Sequence, residues 1–211
     1  MPNLPISGLP ELTAVTPTAE YAVEFSGTTY KIKQSTLSPL PTVYGLFSQT
    51  GNSITVSATT VESTLVGGGV GTLTVPANGF QIGDSFSGEI AGIMSTRNGD
   101  TMTIRVKSGS VILSDSGPQT MISTTNESWT LSIFFTIRNI GGPSVASILT
   151  SGVFRNTKTN NGSVEGFSFN TLNNTTFDTT VSNNLNITIE FSTNNVLNSI
   201  YSDIFVLNKI Y

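Results

Sequence analysis

The side chains in this sequence that could do acid–base or metal chemistry are few and widely spaced. Thirteen Asp and Glu and nine Lys and Arg are spread over 211 residues, and His and Cys are both absent. That removes a thiol nucleophile, a Ser–His–Asp triad, a histidine general base, a zinc cluster and any disulfide framework. Carboxylates are the remaining route to hydrolysis, and glycoside chemistry needs two of them facing each other across a cleft. Glu24, Glu89 and Glu190 each fall on the polar side of an alternating run, as solvated strand residues do. Asp203 differs. Both faces of residues 200–207 are largely apolar, which predicts a partly buried aspartate serving as a structural hydrogen-bond acceptor. No carboxylate pair stands out, so no catalytic residue and no enzymatic activity is expected.

Ligand motifs are equally sparse. Gly67-Gly68-Gly69-Val70-Gly71 is the one glycine cluster, but Thr72-Leu73-Thr74-Val75 follows it. A phosphate cradle needs Lys and Ser or Thr there and then a helix, so the cluster reads as an inter-strand turn. Asn98-Gly99-Asp100 offers three positions where a calcium loop supplies six to eight oxygens, and it reads as a hairpin turn. No metal and no cofactor is expected. The net charge of −4 argues against a nucleic-acid partner, which calls for a basic face. No run of 18 apolar residues occurs, so no membrane insertion by a helix is expected. Met1-Pro2-Asn3-Leu4-Pro5 lacks the basic and apolar regions of a signal peptide. Sequons at Asn126, Asn161, Asn173, Asn174 and Asn186 are accordingly expected to carry no glycan.

The elements that must position these residues are strands. Six of the nine prolines lie within the first 41 residues, which makes residues 1–20 extended chain. Leu4, Ile6, Leu9 and Leu12 in that arm are apolar with few charges nearby, as expected of residues that dock on something. Tyr21, Val23 and Phe25, then Tyr30 and Ile32, alternate about Ser26-Gly27 and read as a small hairpin. Residues 34–37 read as one helical turn. From residue 41 onward β-branched runs separated by Gly, Asn and Ser predict about ten strands and no sustained helical period. The clearest are 101–108, with Met102, Ile104 and Val106 inward, and 129–138, with Trp129, Leu131, Ile133, Phe135 and Ile137 in one row. The chain is all-β, with a two-sheet sandwich favoured over a meander. Charged residues make up only 10%, so Ser, Thr and Asn must wet the surface. The last strand, apolar on both faces, is buried either centrally in its own domain or against a neighbouring chain. On the residues alone both remain open.

Two stretches carry a resemblance. Ile6-Ser7-Gly8-Leu9-Pro10-Glu11-Leu12, followed by Tyr21-Ala22-Val23-Glu24-Phe25-Ser26-Gly27-Thr28-Thr29-Tyr30-Lys31-Ile32, is similar to the amino-terminal pattern of phage tail-fibre and virion appendage proteins. Residues 72–86, Phe177-Asp178-Thr179-Thr180-Val181-Ser182 and the ending 200–211 resemble jelly-roll domains of phage and large-virus structural proteins. Those domains are reminiscent of the trimeric tumour-necrosis-factor-like (TNF-like) jelly roll, whose terminal strands lie near the threefold axis. The resemblance implies residues 1–40 as an attachment element, an extended arm plus hairpin, and 41–211 as a jelly-roll β-sandwich head. It implies a non-enzymatic virion structural protein of fibre, spike or capsid-decoration type, assembled as a homotrimer. Candidate interface residues are Tyr201, Asp203, Phe205, Leu207 and Tyr211, and candidate anchors to other virion proteins are Leu4, Ile6, Leu9 and Leu12. A host surface glycan or receptor is the implied outside partner. The alternative reading is a carbohydrate-binding sandwich or lectin, with Tyr44, Phe47, Phe167 and Phe169 as candidate aromatics. A glycan-degrading enzyme is a distant third.

Overall fold

The computed structural model describes residues 20–25, 28–33, 44–159 and 162–211. The candidate anchors Leu4, Ile6, Leu9 and Leu12 and the turn expected at 34–37 lie outside the described residues. The chain divides into two compact units, Met1–Pro41 and Thr42–Tyr211. In the first, β1 (Glu20–Phe25) and β2 (Thr28–Lys33) pair antiparallel from Glu20↔Lys33 to Phe25↔Thr28. This is the hairpin that the alternating Tyr21, Val23 and Phe25 call for.

The second unit begins with five short strands: β3 (Tyr44–Gln49), β4 (Val56–Ser57), β5 (Ser63–Thr64), β6 (Gly69–Gly71) and β7 (Thr74–Val75). Longer ones follow: β8 (Ser85–Thr96), β9 (Thr101–Ser108), β10 (Val111–Asp115), the short β11 (Gln119–Thr120) and β12 (Thr124–Asn139). The last four are β13 (Ser147–Thr157), β14 (Val164–Asn173), β15 (Asn183–Phe191) and β16 (Ser199–Lys209). They form two antiparallel sheets, and no helix occurs among the described residues. The large sheet runs β14-β13-β12-β8-β16-β3-β6, with β4 on β16; the small one runs β10-β9-β15-β5, with β11 on β9 and β7 on β15. The pairing is nested: β3 lies beside β16, β5 beside β15, β8 beside β12 and β9 beside β10.

Alternation sets which face each strand buries. Trp129, Leu131, Ile133, Phe135 and Ile137 of β12, with Phe86, Ile90 and Met94 of β8, form the inner face of the large sheet. Met102, Ile104 and Val106 of β9 and Ile187, Ile189 and Phe191 of β15 meet them from the small sheet. Each such side chain contributes about 1.5–3 kcal/mol by leaving water. Along the β14 side the sheets are tied by Asn173 Nδ2, which donates to the Ile112 carbonyl at 2.8 Å, and by Ser114 Oγ, which donates to Thr171 Oγ1 at 3.1 Å.

Three expectations are corrected. Asn98-Gly99-Asp100 does make a turn, with Gly99 at φ +86°, but β8 and β9 belong to different sheets. It is a corner between layers rather than a hairpin. The last strand is not buried on both faces. A bulge inserts Asp203 between the pairs Ser202↔Gly92 and Ile204↔Ala91, and the inward phase moves from Ile200 and Ser202 to Phe205 and Leu207. A run with apolar residues in both phases is therefore one that changes phase midway. Asp203, the inserted residue, is consequently exposed, not partly buried.

Candidate functional site

The bulge redistributes the residues proposed for an interface. Phe205 and Leu207 are 0% and 3% exposed in the core of their own chain, so they offer nothing to a second copy. Tyr201 and Asp203 lie on the outer face of the large sheet. Tyr211 is fixed through its backbone, its carbonyl accepting from Ser85 N at 3.1 Å, while its side chain is 76% exposed. The outer phase that Phe205 and Leu207 vacate is taken by Ile204 and Val206. Cross-strand register places Ile204 beside Ala91, Tyr201 beside Ile93 and Val206 beside Glu89 and Ser48. The middle of the outer face is thus a weakly polar field, with Ile204 54% exposed and Phe134 on β12 49% exposed. Glu89, accepting from Ser132 Oγ at 2.9 Å, and the exposed Asp203 are acidic groups on this face.

Several carboxylates elsewhere are occupied. On the outer face of the small sheet Arg105 reaches Asp115 at 2.8 Å and Glu190 at 2.7 Å, and Lys107 reaches Glu62 at 2.9 Å. Hydrogen bonding to Glu190 raises the Arg105 pKa, opposed by burial and aided by Asp115. Burial pushes the Glu62 carboxyl up, but hydrogen bonds from Thr188 and Lys107 and the charges of Lys107 and Arg105 outweigh it and hold the group below its usual range. Held below its usual range, the Glu62 carboxyl stays ionised and makes a poor general acid. Pairs this near solvent add about 0–1 kcal/mol each.

At the sheet-switching corner, Asp100 is 5% exposed and gathers four donors. Arg97 donates through Nε at 3.0 Å and Nη2 at 2.6 Å, Thr193 Oγ1 at 2.7 Å and Asn198 Nδ2 at 2.8 Å. The Arg97 hydrogen bonds first, then that of Thr193, bring its pKa to about 2. These contacts lock the β8–β9 turn to the β15–β16 connection. A second buried cluster sits under the bulge, where Ser202 N donates to Ser53 Oγ at 2.9 Å and Gln49 Nε2 donates to Ser202 Oγ at 3.0 Å. Asp100 faces the Thr193 hydroxyl but, with its pKa at about 2, is too weak a base to activate it, and the Ser202 cluster holds no base, so both are structural joints. No group of three or more acidic residues that could hold a metal occurs among the described residues.

Three hollows bear on the site. Between the sheets, Leu73, Phe80, Phe86, Phe177 and Leu185 surround an apolar cavity of about 60 Å³. At the opposite end of the strands a cleft of about 100 Å³ opens between β11 and the inner face of β13 and β14. A second cleft, of about 230 Å³, also reaches Asn156. Of the candidate lectin aromatics, Phe47 and Phe169 are buried at 7% and 8%, and Phe167 is half-buried at the mouth of the first cleft. Asn156 had no signal in the sequence because its stretch reads as a strand from Ala146 to Phe154. It in fact continues to Thr157 and keeps Asn156 in phase with the inward Phe154. The chain matches no family model, no curated protein and no solved structure.

Proposed function

We propose that this chain is a non-enzymatic structural subunit of a virion, of fibre, spike or capsid-decoration type. Three copies assemble through their sandwich heads, residues 1–40 join the subunit to other particle proteins, and the free end of the head meets a host surface. The observation that carries the reading is the outer face of the large sheet. Ala91, Ile93, Tyr201, Ile204 and Val206 adjoin one another there across β8 and β16, in the middle of the sheet rather than at its rim. Contiguous apolar area of this kind on a strand face marks an association surface, and charged residues make up only 10% of the sequence. The nested pairs β3/β16, β5/β15, β8/β12 and β9/β10 support a jelly-roll head, since that fold is a long antiparallel ribbon rolled into two sheets. The amino-terminal resemblance to virion appendages supports the attachment role.

Sedimentation equilibrium of the full chain at micromolar concentration tests the assembly. A species of three times the chain mass is expected, and a stable monomer overturns the reading.

A further inference from the structure

One buried polar group in the sandwich lacks a purpose in the fold and lies beside a cleft. Asn156 is 1% exposed, and its Oδ1 has no hydrogen-bond partner. Its Nδ2 reaches only the Thr157 carbonyl, at 3.5 Å, the outer limit of a hydrogen bond. Whichever way round the amide sits, one of its ends is unpaired. Such a group destabilises the fold by about 1–3 kcal/mol, so its presence calls for an explanation. Thr150 Oγ1 is the other such atom among the described residues, but no cleft described above reaches it.

The surroundings of Asn156 say what would satisfy it. Asn156 shares the buried phase of β13 with Phe154, stands in register with Trp129 and Glu165, and lines the cleft beside β11. Gln119 and Met121 line that space on one side, and Asn156, Glu165, Gly166 and Phe167 on the other. At about 100 Å³ it exceeds the roughly 15 Å³ that a single water requires. Phe167 ends a row of rings, stacked on Phe154 at 5.0 Å, which in turn stacks on Trp129 at 5.7 Å. The ring at the mouth is therefore held rigid from behind. Glu165 is neutralised by Lys158 at 2.8 Å, so the cleft presents no net charge to a ligand. Tyr44, the first described residue of the sandwich, pairs with Lys209 at the other end of the strands.

We propose that this cleft binds a neutral saccharide, with a sugar hydroxyl completing the Asn156 amide and a sugar face lying on Phe167. A hydroxyl both donates and accepts, so it satisfies either orientation of the amide. A ring with one apolar face matches a fixed phenyl, and the absence of net charge disfavours ionic ligands. An extended peptide is the poorer fit. It would pair with the backbone edge of β14 and leave Asn156 as it is. The proposal deepens the surface-recognition part of the reading above, and sugar binding and subunit number are read separately, so each can fail alone.

The test is an array of neutral and acidic oligosaccharides probed with the full chain, followed by calorimetric titration of any that are retained. Neutral glycans are expected to bind, and Asn156→Leu to weaken them at least about tenfold, the loss of one hydrogen bond. The same variant is expected to melt at or above the wild-type temperature, because it removes an unpaired polar group; an asparagine needed only for the fold would melt lower. Phe167→Leu, which keeps apolar bulk and removes the ring face, is expected to weaken binding independently. No retention of any neutral glycan, unchanged affinity in both variants, or binding of extended peptides in place of glycans would each overturn the proposal.

Discussion

The electrostatics of Asp100 have a consequence for acid stability. Its carboxyl titrates at about 2 instead of the ordinary 3.8 because Arg97, Thr193 and Asn198 all donate to the charged form. The folded state therefore binds the proton less tightly than the unfolded chain does. The contribution is complete above pH 3.8 and is lost as pH falls through about 2. Melting temperature of the wild type is expected to drop across that interval, and Asp100→Asn is expected to lower it at neutral pH and flatten the acid limb. An unchanged acid limb in the variant would show that other carboxylates govern the transition. Thr150 makes the opposite case. Its hydroxyl is fully buried without a partner, and valine has the same shape without the oxygen. Thr150→Val is expected to stabilise the chain by about 1 kcal/mol, read as a higher urea midpoint at constant slope.

Elements with strict alternation were the readable ones. β12 buries one phase and wets the other, and β9 buries one apolar phase while the other carries Arg105 and Lys107, so Met102, Ile104 and Val106 and the row from Trp129 to Ile137 could be assigned to the core from spacing alone. β16 misled because apolar residues in both phases fit either two buried faces or one bulge, and only the partner strand decides between them. That partner is β8, whose Gly92 lies against the bulge: a Cβ there would meet the Tyr201 carbonyl and the Ser202 Cα. Local sequence cannot report such a long-range approach. The sheet change after Gly99 was hidden for the same reason, since a turn motif does not state which strands it joins. Asn156 was hidden by its neighbours, an Arg and a Thr that look like strand-end residues on a wet surface. Gly92→Ala is expected to destabilise by about 1–3 kcal/mol, because the backbone of β16 must move to admit the methyl group. The measurement is chemical denaturation, and a stability equal to wild type would mean that the bulge does not depend on the close approach.

Assembly is a property of the molecule as a whole, and the phase change in β16 gives a way to separate it from folding. Ile204 is 54% exposed on the outer face, and Phe205, the next residue, is fully buried in the core. A charge at 204 meets water in the isolated subunit, so Ile204→Glu should leave monomer stability within about 0.5 kcal/mol of wild type. In a trimer built on this face the same carboxylate would be buried without a partner, on the same face as Glu89, and the association would be lost. Phe205→Ala should act the other way round. It empties a core position at about 3–5 kcal/mol and lowers stability without touching the outer face. The two variants together therefore predict a crossed result. Sedimentation should report monomers for Ile204→Glu with an intact melting transition once dissociation is accounted for, and trimers for folded Phe205→Ala at reduced temperature. If Ile204→Glu remains trimeric, the subunits meet through another surface, and the apolar field across β8 and β16 must be assigned to a different partner.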